Sequence, residues 1–158
     1  MDGNRRWARE QGLSIIEGHR RGAEKIKEVI RWAQEAHIGT LIFYTFSNEN
    51  WSRALEEVSY LMDIFRSHIA AWAAEIHEGG GRVRFIGDRV RFSKDIQEEM
   101  AKAELLTKDN KGVQAIFAMS YSGRPEIVHA VNTLLQSGKQ KVTEQDVASA
   151  LWTANIPD

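Results

Sequence analysis

The chain has 158 residues and a formal charge of -1, from 21 Lys+Arg against 22 Asp+Glu, with 42% hydrophobic and 27% charged residues; this suits one globular domain burying roughly two-thirds of its unfolded surface and excludes intrinsic disorder. Near neutrality offers little counterion release, so no nucleic-acid partner is expected, and the absence of cysteine removes disulfides, thiolate nucleophiles and zinc–thiolate sites. No apolar run approaches the roughly 18 residues of a membrane span and no signal peptide is seen, which makes the cytoplasm the expected compartment.

In chain order, the opening stretch through Arg9 is polar and basic and leads into a loop around Gly12. From about His19 to Ala36 the residues Ala23, Ile26, Val29, Ile30 and Ala33 recur at helical spacing, and Gly39 fits a stop just beyond. Thr40 to Phe46 is a continuous apolar and β-branched run that predicts a buried strand, and Ser47 to Arg53 reads as loop. A long helix is expected from about Glu56 to His77, with Leu61, Phe65, Ile69, Trp72 and Ile76 among the residues of one broad apolar face, closed by Gly79-Gly80-Gly81. Val83 to Gly87 predicts a second short strand, Lys94 to Leu106 an amphipathic helix, and Val113 to Met119 a third buried strand. Pro125 suits a helix opening that continues through Gln136. Thr143-x-x-Asp146 resembles a capping box for a last helix through Trp152. Strands alternating with helices imply a mostly parallel sheet flanked by helices, because parallel strands need crossover connections. The expected fold class is α/β, a single domain over 1–158.

Open α/β sheets bind ligands at the carboxyl ends of their strands. Those ends carry Ser47 to Arg53, Gly87-Asp88-Arg89, and Ser120-Tyr121-Ser122-Gly123-Arg124, three polar segments able to converge on one site. The N-terminal stretch adds Asp2 to Trp7, and Gly18-His19-Arg20-Arg21-Gly22 falls at the predicted start of the first helix. Backbone N–H groups at a helix start, joined by arginines, would cradle a phosphate. Asp2 beside that cradle is the single carboxylate a phosphate-bridging magnesium ion uses. Read singly, such Gly/Arg turns suit solvated surface better than a site. Trp7 and Trp51 read equally as half-buried aromatics, and Asp88 as a turn residue or cap. His37, His68, His77 and His129 lack metal-ligand spacing and are assigned to surface or core.

Met1-Asp2-Gly3-Asn4-Arg5-Arg6-Trp7-Ala8, Gly18-His19, Phe46-Ser47-Asn48-Glu49-Asn50-Trp51-Ser52-Arg53, Ile86-Gly87-Asp88 and Tyr121-x-Gly123-Arg124-x-Glu126-Ile127 occur in this order. The set resembles the cis-prenyltransferases, the undecaprenyl and dehydrodolichyl diphosphate synthase family, over nearly the whole chain. Arg5, where bacterial members usually carry glycine, is similar to the archaeal and eukaryotic branch. The Asp-Asp-x-x-Asp motif of trans-prenyltransferases is absent. The resemblance implies Mg2+-dependent condensation of isopentenyl diphosphate onto an allylic diphosphate with cis geometry, giving a polyprenyl diphosphate. It implies that Asp2 holds magnesium and assists departure of the allylic diphosphate, and that Asn50 is the proton acceptor. Gly3, Asn4, Arg5 and Arg6 would cradle that diphosphate with His19 nearby; Trp7, Ser47, Asn48, Glu49, Trp51 and Arg53 would bind substrate. An amide is a poor base by pKa, so orienting diphosphate or relaying a proton through water stays open for Asn50. Helices of this kind also wall a prenyl tunnel in the family, giving Leu61, Phe65 and Ile69 a second use beside the core. The implied setting is a homodimer when full length, cytoplasmic or peripheral at a membrane that it touches for product release.

Two departures bear on these implications. Ile15 stands where the family usually has an arginine, with Arg20 and Arg21 as the nearby substitutes. The family's first strand before Met1 and its Arg-Thr-Ser-Gly-Glu segment after Asp158 have no counterpart in the chain. That segment would supply isopentenyl diphosphate contacts, a second metal carboxylate and much of the dimer interface. The expectation is therefore a chain truncated at both ends, inactive alone, holding the allylic half of the site. The alternative is a non-catalytic regulatory or phosphate-binding module, against which the intact Asp2, Asn50 and Arg53 weigh. An unrelated nucleotide-binding α/β domain is disfavoured by the lack of a Walker or Rossmann glycine pattern.

Overall fold

The computed structural model describes residues 2–157. Gly3, at a left-handed φ of 91°, turns the chain into α1 (Asn4–Glu10), a helix in the polar, basic stretch for which no element was predicted. Two turns that bury only Ala8 show no apolar period, which is why the sequence hides it. α2 (Ile15–Glu35) starts four residues ahead of the expected His19, because Ser14 caps it by accepting the Glu17 N–H at 3.2 Å. It also ends without Gly39. His37 takes the left-handed position (φ 54°), donating its N–H to the Gln34 carbonyl while the Ile38 N–H reaches Ala33, a Schellman closure.

β1 (Thr40–Ser47) leads into a 3₁₀ turn at Asn48–Ser52, then α3 (Leu55–Glu78), β2 (Arg82–Ile86) and a short 3₁₀ turn at Arg89–Arg91. α4 (Lys94–Thr107), β3 (Gln114–Tyr121), α5 (Gly123–Gln136) and α6 (Glu144–Ala150) complete the order. The expected loop at 47–53 is a 3₁₀ turn closed by a capping box between Ser47 and Asn50. Thr143 and Asp146 cap α6 reciprocally as expected, at 3.2 and 3.0 Å. The helix stops at Ala150 and not at Trp152, since Leu151 turns to extended backbone.

The sheet is parallel with order β1-β3-β2, so the expected α/β layering holds. β3 lies between its neighbours and is buried on both faces, which explains its unbroken apolar run. Phe43, Phe117 and Phe85 share one register across the three strands, with ring centroids 5.2 and 5.5 Å apart along the row. Trp72 of α3 lies flat on Phe117 at 5.6 Å and 4°. This aromatic row, with Ile26 and Ile30 of α2 and Met100 of α4, forms the main core. Each such large apolar side chain contributes about 1.5–3 kcal/mol on burial. The opposite face carries Ile86, Ile116 and Ala118 beneath Trp152 and Ile156. Arg84 fixes that cover by donating to the Trp152 and Ala154 carbonyls, both at 2.8 Å. Among the described residues no helix is long and apolar enough to cross a membrane.

At the carboxyl ends of β1 and β3 the register slips between Tyr44 and Phe46 and again at Ser47. Opposite the slip, Ser120 adopts a left-handed φ of 50° in a fully buried position. A bulge beside strained backbone re-aims side chains at a strand end. It brings two of the three polar strand ends into contact.

Candidate active site

Glu57, in the first turn of α3, is the hub of the polar side of the molecule. Its side chain is only 13% exposed. Its Oε1 lies 3.1 Å from His19 Nε2, accepts from Arg53 Nη1 at 3.1 Å, and sits 3.9 Å from Arg5 Nε. One carboxylate thereby ties α1, α2 and the 3₁₀ turn to α3. Burial pushes the Glu57 carboxyl up, but the His19 hydrogen bond and the charges of Arg5 and Arg53 outweigh it and hold it below the usual carboxylate range. Sequence reasoning missed Glu57; its signal is the i,i+4 spacing from Arg53 across a helix start.

Above this hub opens a cleft of about 620 Å³ lined by Asp2, Gly3, Asn4, Arg5, Arg6, Arg9, His19 and Arg53. Seven of the predicted site residues meet here, joined by Arg9, which the motifs did not single out. Four guanidinium groups against one exposed carboxylate make the cleft a receptor for a polyanion, and fork-shaped donors match phosphate oxygens. Trp7 lies beside it, 40% exposed, on an adjoining cleft shared with Arg21 and Lys25.

Asp2 accepts the Gly3 N–H on Oδ1 at 2.6 Å, and its Oδ2 is 3.6 Å from Arg6 Nη2. Among the described residues no group of three or more His, Cys, Asp or Glu could hold a metal ion. A lone exposed carboxylate fits magnesium that arrives with its water and phosphate ligands, not a resident all-protein cage.

The expected cradle at Gly18–Gly22 is not one. Both glycines are inside α2, past its first residue Ile15, and α1 crosses over them. A Cβ on Gly18 would sit 2.4 Å from the Asn4 carbonyl oxygen, and one on Gly22 2.4 Å from the Asn4 side-chain nitrogen. Glycine serves close helix packing here, and that packing carries Gly3–Arg6 to the cleft. Arg20 bonds Glu17 at 2.8 and 2.5 Å and Glu24 at 2.5 Å, and Arg21 bonds Glu17 at 2.9 Å, which draws the Glu17 carboxyl down to about 2. Arg20 is committed to those carboxylates, and neither it nor Arg21 nor Ile15 lines the cleft.

The remaining predicted residues form a second group. Ser120 Oγ accepts from Trp51 Nε1 at 2.9 Å and donates to Asn48 Oδ1 at 2.7 Å, while Ser122 Oγ donates to Glu49 Oε2 at 3.0 Å. Glu49 is held below the usual range by its own backbone N–H and by Ser47 and Ser122. Asn50 Oδ1 accepts the Ser47 N–H at 3.1 Å. The Trp51 ring packs against Phe46 at 4.8 Å and under Arg91 at 4.8 Å. Of the third strand end, Asp88 caps the short 3₁₀ turn through the Val90 N–H. Ser120→Ala would leave Trp51 Nε1 and Asn48 Oδ1 without these partners. Both residues are half-exposed, so water offsets part of the loss, and we expect about 1 kcal/mol less stability in urea unfolding. A midpoint equal to wild type would show that Ser120 does not hold the turn.

An apolar pocket of about 80 Å³ continues inward from Asn4 and His19, walled by Ile26 of α2 and by Leu61, Ile64, Phe65 and Trp72 of α3. Leu61 and Phe65 line it as expected of tunnel residues; Ile69 does not and belongs to the core.

The family model described as putative undecaprenyl diphosphate synthase matches residues 1–158. The chain belongs to the undecaprenyl diphosphate synthase family. Within that family it is 40% identical to an isoprenyl transferase of Chromobacterium violaceum over all of its own length and 63% of the relative's. It is 35% identical to an isoprenyl transferase of Rickettsia sibirica, of which it covers 70%. The chain thus spans between three-fifths and seven-tenths of these family members. Its fold superposes on lavandulyl diphosphate synthase from Lavandula x intermedia, solved with dimethylallyl diphosphate, with a TM-score of 0.92 and 29% identity over 99% of this chain and 70% of that one. A probable undecaprenyl diphosphate synthase from Campylobacter jejuni shares the fold at a TM-score of 0.76 and 23% identity.

Proposed function

We propose that this chain carries the allylic-diphosphate half of a cis-prenyl chain-elongation site. The observation that supports this reading most is the juxtaposition of a four-arginine cleft with an apolar pocket, joined through Asn4 and His19. An allylic diphosphate has that same division into a polyanionic head and a hydrocarbon tail. The reaction forms a carbon–carbon bond between the allylic C1 and C4 of isopentenyl diphosphate while the C1–oxygen bond breaks and its electron pair leaves with diphosphate; C2 of the isopentenyl unit then releases a proton to the departing diphosphate, and the new double bond forms. Charge grows on the departing group, so Arg5, Arg6, Arg9 and Arg53 stabilise the transition state more than the ground state. Magnesium held by Asp2 and the phosphate oxygens would neutralise part of that charge. The dry wall of Leu61, Ile64 and Phe65 would keep water from the allylic cation. Asn50, an amide whose oxygen already accepts the Ser47 N–H, is given a positioning role for the turn in place of proton acceptance. Homodimer formation, transient membrane contact and a cytoplasmic setting belong to the same proposal for the longer family members.

Calorimetric titration with farnesyl diphosphate tests it. Binding is expected with magnesium and about tenfold weaker for Asp2→Ala, a difference that vanishes in chelator. Absence of binding, or the same affinity for farnesol, would overturn the reading. The chain alone is expected to give no elongation products with farnesyl diphosphate, labelled isopentenyl diphosphate and magnesium; turnover would refute the half-site assignment.

A further inference from the structure

A cavity of about 760 Å³ lies on the sheet face opposite the main core, between the end of β2 and α5. Arg84, Ile86, Asp88, Val128, Asn132 and Trp152 are among the residues that border it, and none of its lining residues is shared with the diphosphate cleft. Its place follows from the course of the chain. α4, which follows β2, packs into the main core through Ile96 and Met100. α5, which follows β3, lies on the other side, with its His129 ring stacked on Trp152 at 4.6 Å and 21°. Adjacent strands whose helices depart to opposite faces leave a crevice at their carboxyl ends, where open α/β sheets take ligands. The segment Ile86-Gly87-Asp88, which neither the cleft nor the inner apolar pocket uses, ends in this crevice.

The charges at the cavity single out Arg84. Arg89 is paired with Glu104 at 2.8 and 2.6 Å, and one oxygen of Asp88 accepts the Val90 N–H. Arg84 has no ion pair among the described residues: two of its five N–H groups go to the Trp152 and Ala154 carbonyls, which carry no charge. Burial pushes its guanidinium below the usual range, with Glu104 opposing and the like charges of Arg82 and Arg89 adding to the fall. A half-buried cation without a counter-charge, bordering an open cavity, is completed by an anion. The neighbouring Asp88 disfavours a multiply charged one, and the planar fork of a single guanidinium matches a carboxylate. Ile86, Val128 and Leu151 supply apolar walls, and Trp152 and His129 offer ring contacts that an aromatic body fits.

We propose that this cavity is a second ligand site, which takes an aromatic monocarboxylate with its carboxylate on Arg84 and its ring against Trp152. The site does not depend on the allylic-diphosphate reading.

Calorimetric titration with 2-naphthoate tests it, with 2-naphthamide as the uncharged counterpart. Naphthoate is expected to bind, and the amide at least about tenfold more weakly. Arg84→Gln should weaken naphthoate about tenfold. That variant also releases the Trp152 and Ala154 carbonyls, so Asn132→Glu is the second: at an exposed position of α5 it adds a negative charge beside the cavity and should weaken naphthoate at least about threefold. Asn132→Glu should leave the titration of inorganic diphosphate unchanged, and inorganic diphosphate should not displace naphthoate. Absence of naphthoate binding, equal affinity for the amide, wild-type affinity in either folded variant, or displacement by inorganic diphosphate would overturn the proposal.

Discussion

Gly18→Ala is expected to destabilise the protein by about 1–3 kcal/mol, against its helix propensity. Propensity alone predicts the opposite sign, because alanine inside a helix is favoured over glycine by about 0.5–1 kcal/mol. Packing decides, since the new Cβ would lie 2.4 Å from the Asn4 carbonyl oxygen and 2.9 Å from the Ala8 Cβ. Neither atom can rotate away, so α1 must move off α2 and take Gly3–Arg6 with it. Diphosphate affinity should fall together with stability. Gly22→Ala supplies the contrast: its clash is with the Asn4 side-chain amide, which can swing aside. That variant should lose less stability while still disturbing Asn4 at the cleft. Urea unfolding and a diphosphate titration on both proteins check this; an unchanged midpoint in Gly18→Ala would disprove the close-packing account.

Glu57→Gln should cost about 2 kcal/mol, toward the upper end for a hydrogen-bonded charge, since its side chain is only 13% exposed and Arg5 and Arg53 lose their shared counter-charge. The pH dependence carries the sign. The folded carboxyl titrates below its unfolded value, so its contribution is fully present above the unfolded pKa and disappears as pH falls through the folded one. Wild type should therefore lose this increment in acid, and Glu57→Gln should show a flatter acid limb with the two curves converging. A constant gap between them down to the acid end would exclude Glu57 ionisation as the cause. Uncompensated Arg5 and Arg53 should at the same time bind inorganic diphosphate at least as tightly as wild type, which separates loss of stability from loss of the cleft.

The strands were legible because burial on both faces leaves an uninterrupted apolar run, as in Gln114–Tyr121. The long helices were legible from their period. Helix α1 was not, because its one buried residue, Ala8, cannot show a period, and its partner surface is two glycines on α2. Those glycines misled in a definite way. A Gly-His-Arg-Arg-Gly string is compatible with an anion loop or with a thin helix face, and only the placement of Ser14 as cap decides between them. The family motifs located the residues that meet in the cleft, but said nothing of what anchors them. Glu57 and Ser120 act by hydrogen bonds to residues 38 and 72 positions away, to His19 and Asn48, a distance over which spacing carries no information.

The middle place of β3 also orders events in time. β1 pairs with Gln114 onward and β2 with the same stretch, and neither pairs with the other. During synthesis both earlier strands wait, their Phe43 and Phe85 rings uncovered, until β3 leaves the ribosome. Contacts between distant parts of a chain form slowly, and waiting apolar strands are open to mispairing. The helices between them are local and need no such delay. The nascent protein therefore passes through an interval of formed helices and an unbuilt sheet, and in that interval holding chaperones would have most to cover.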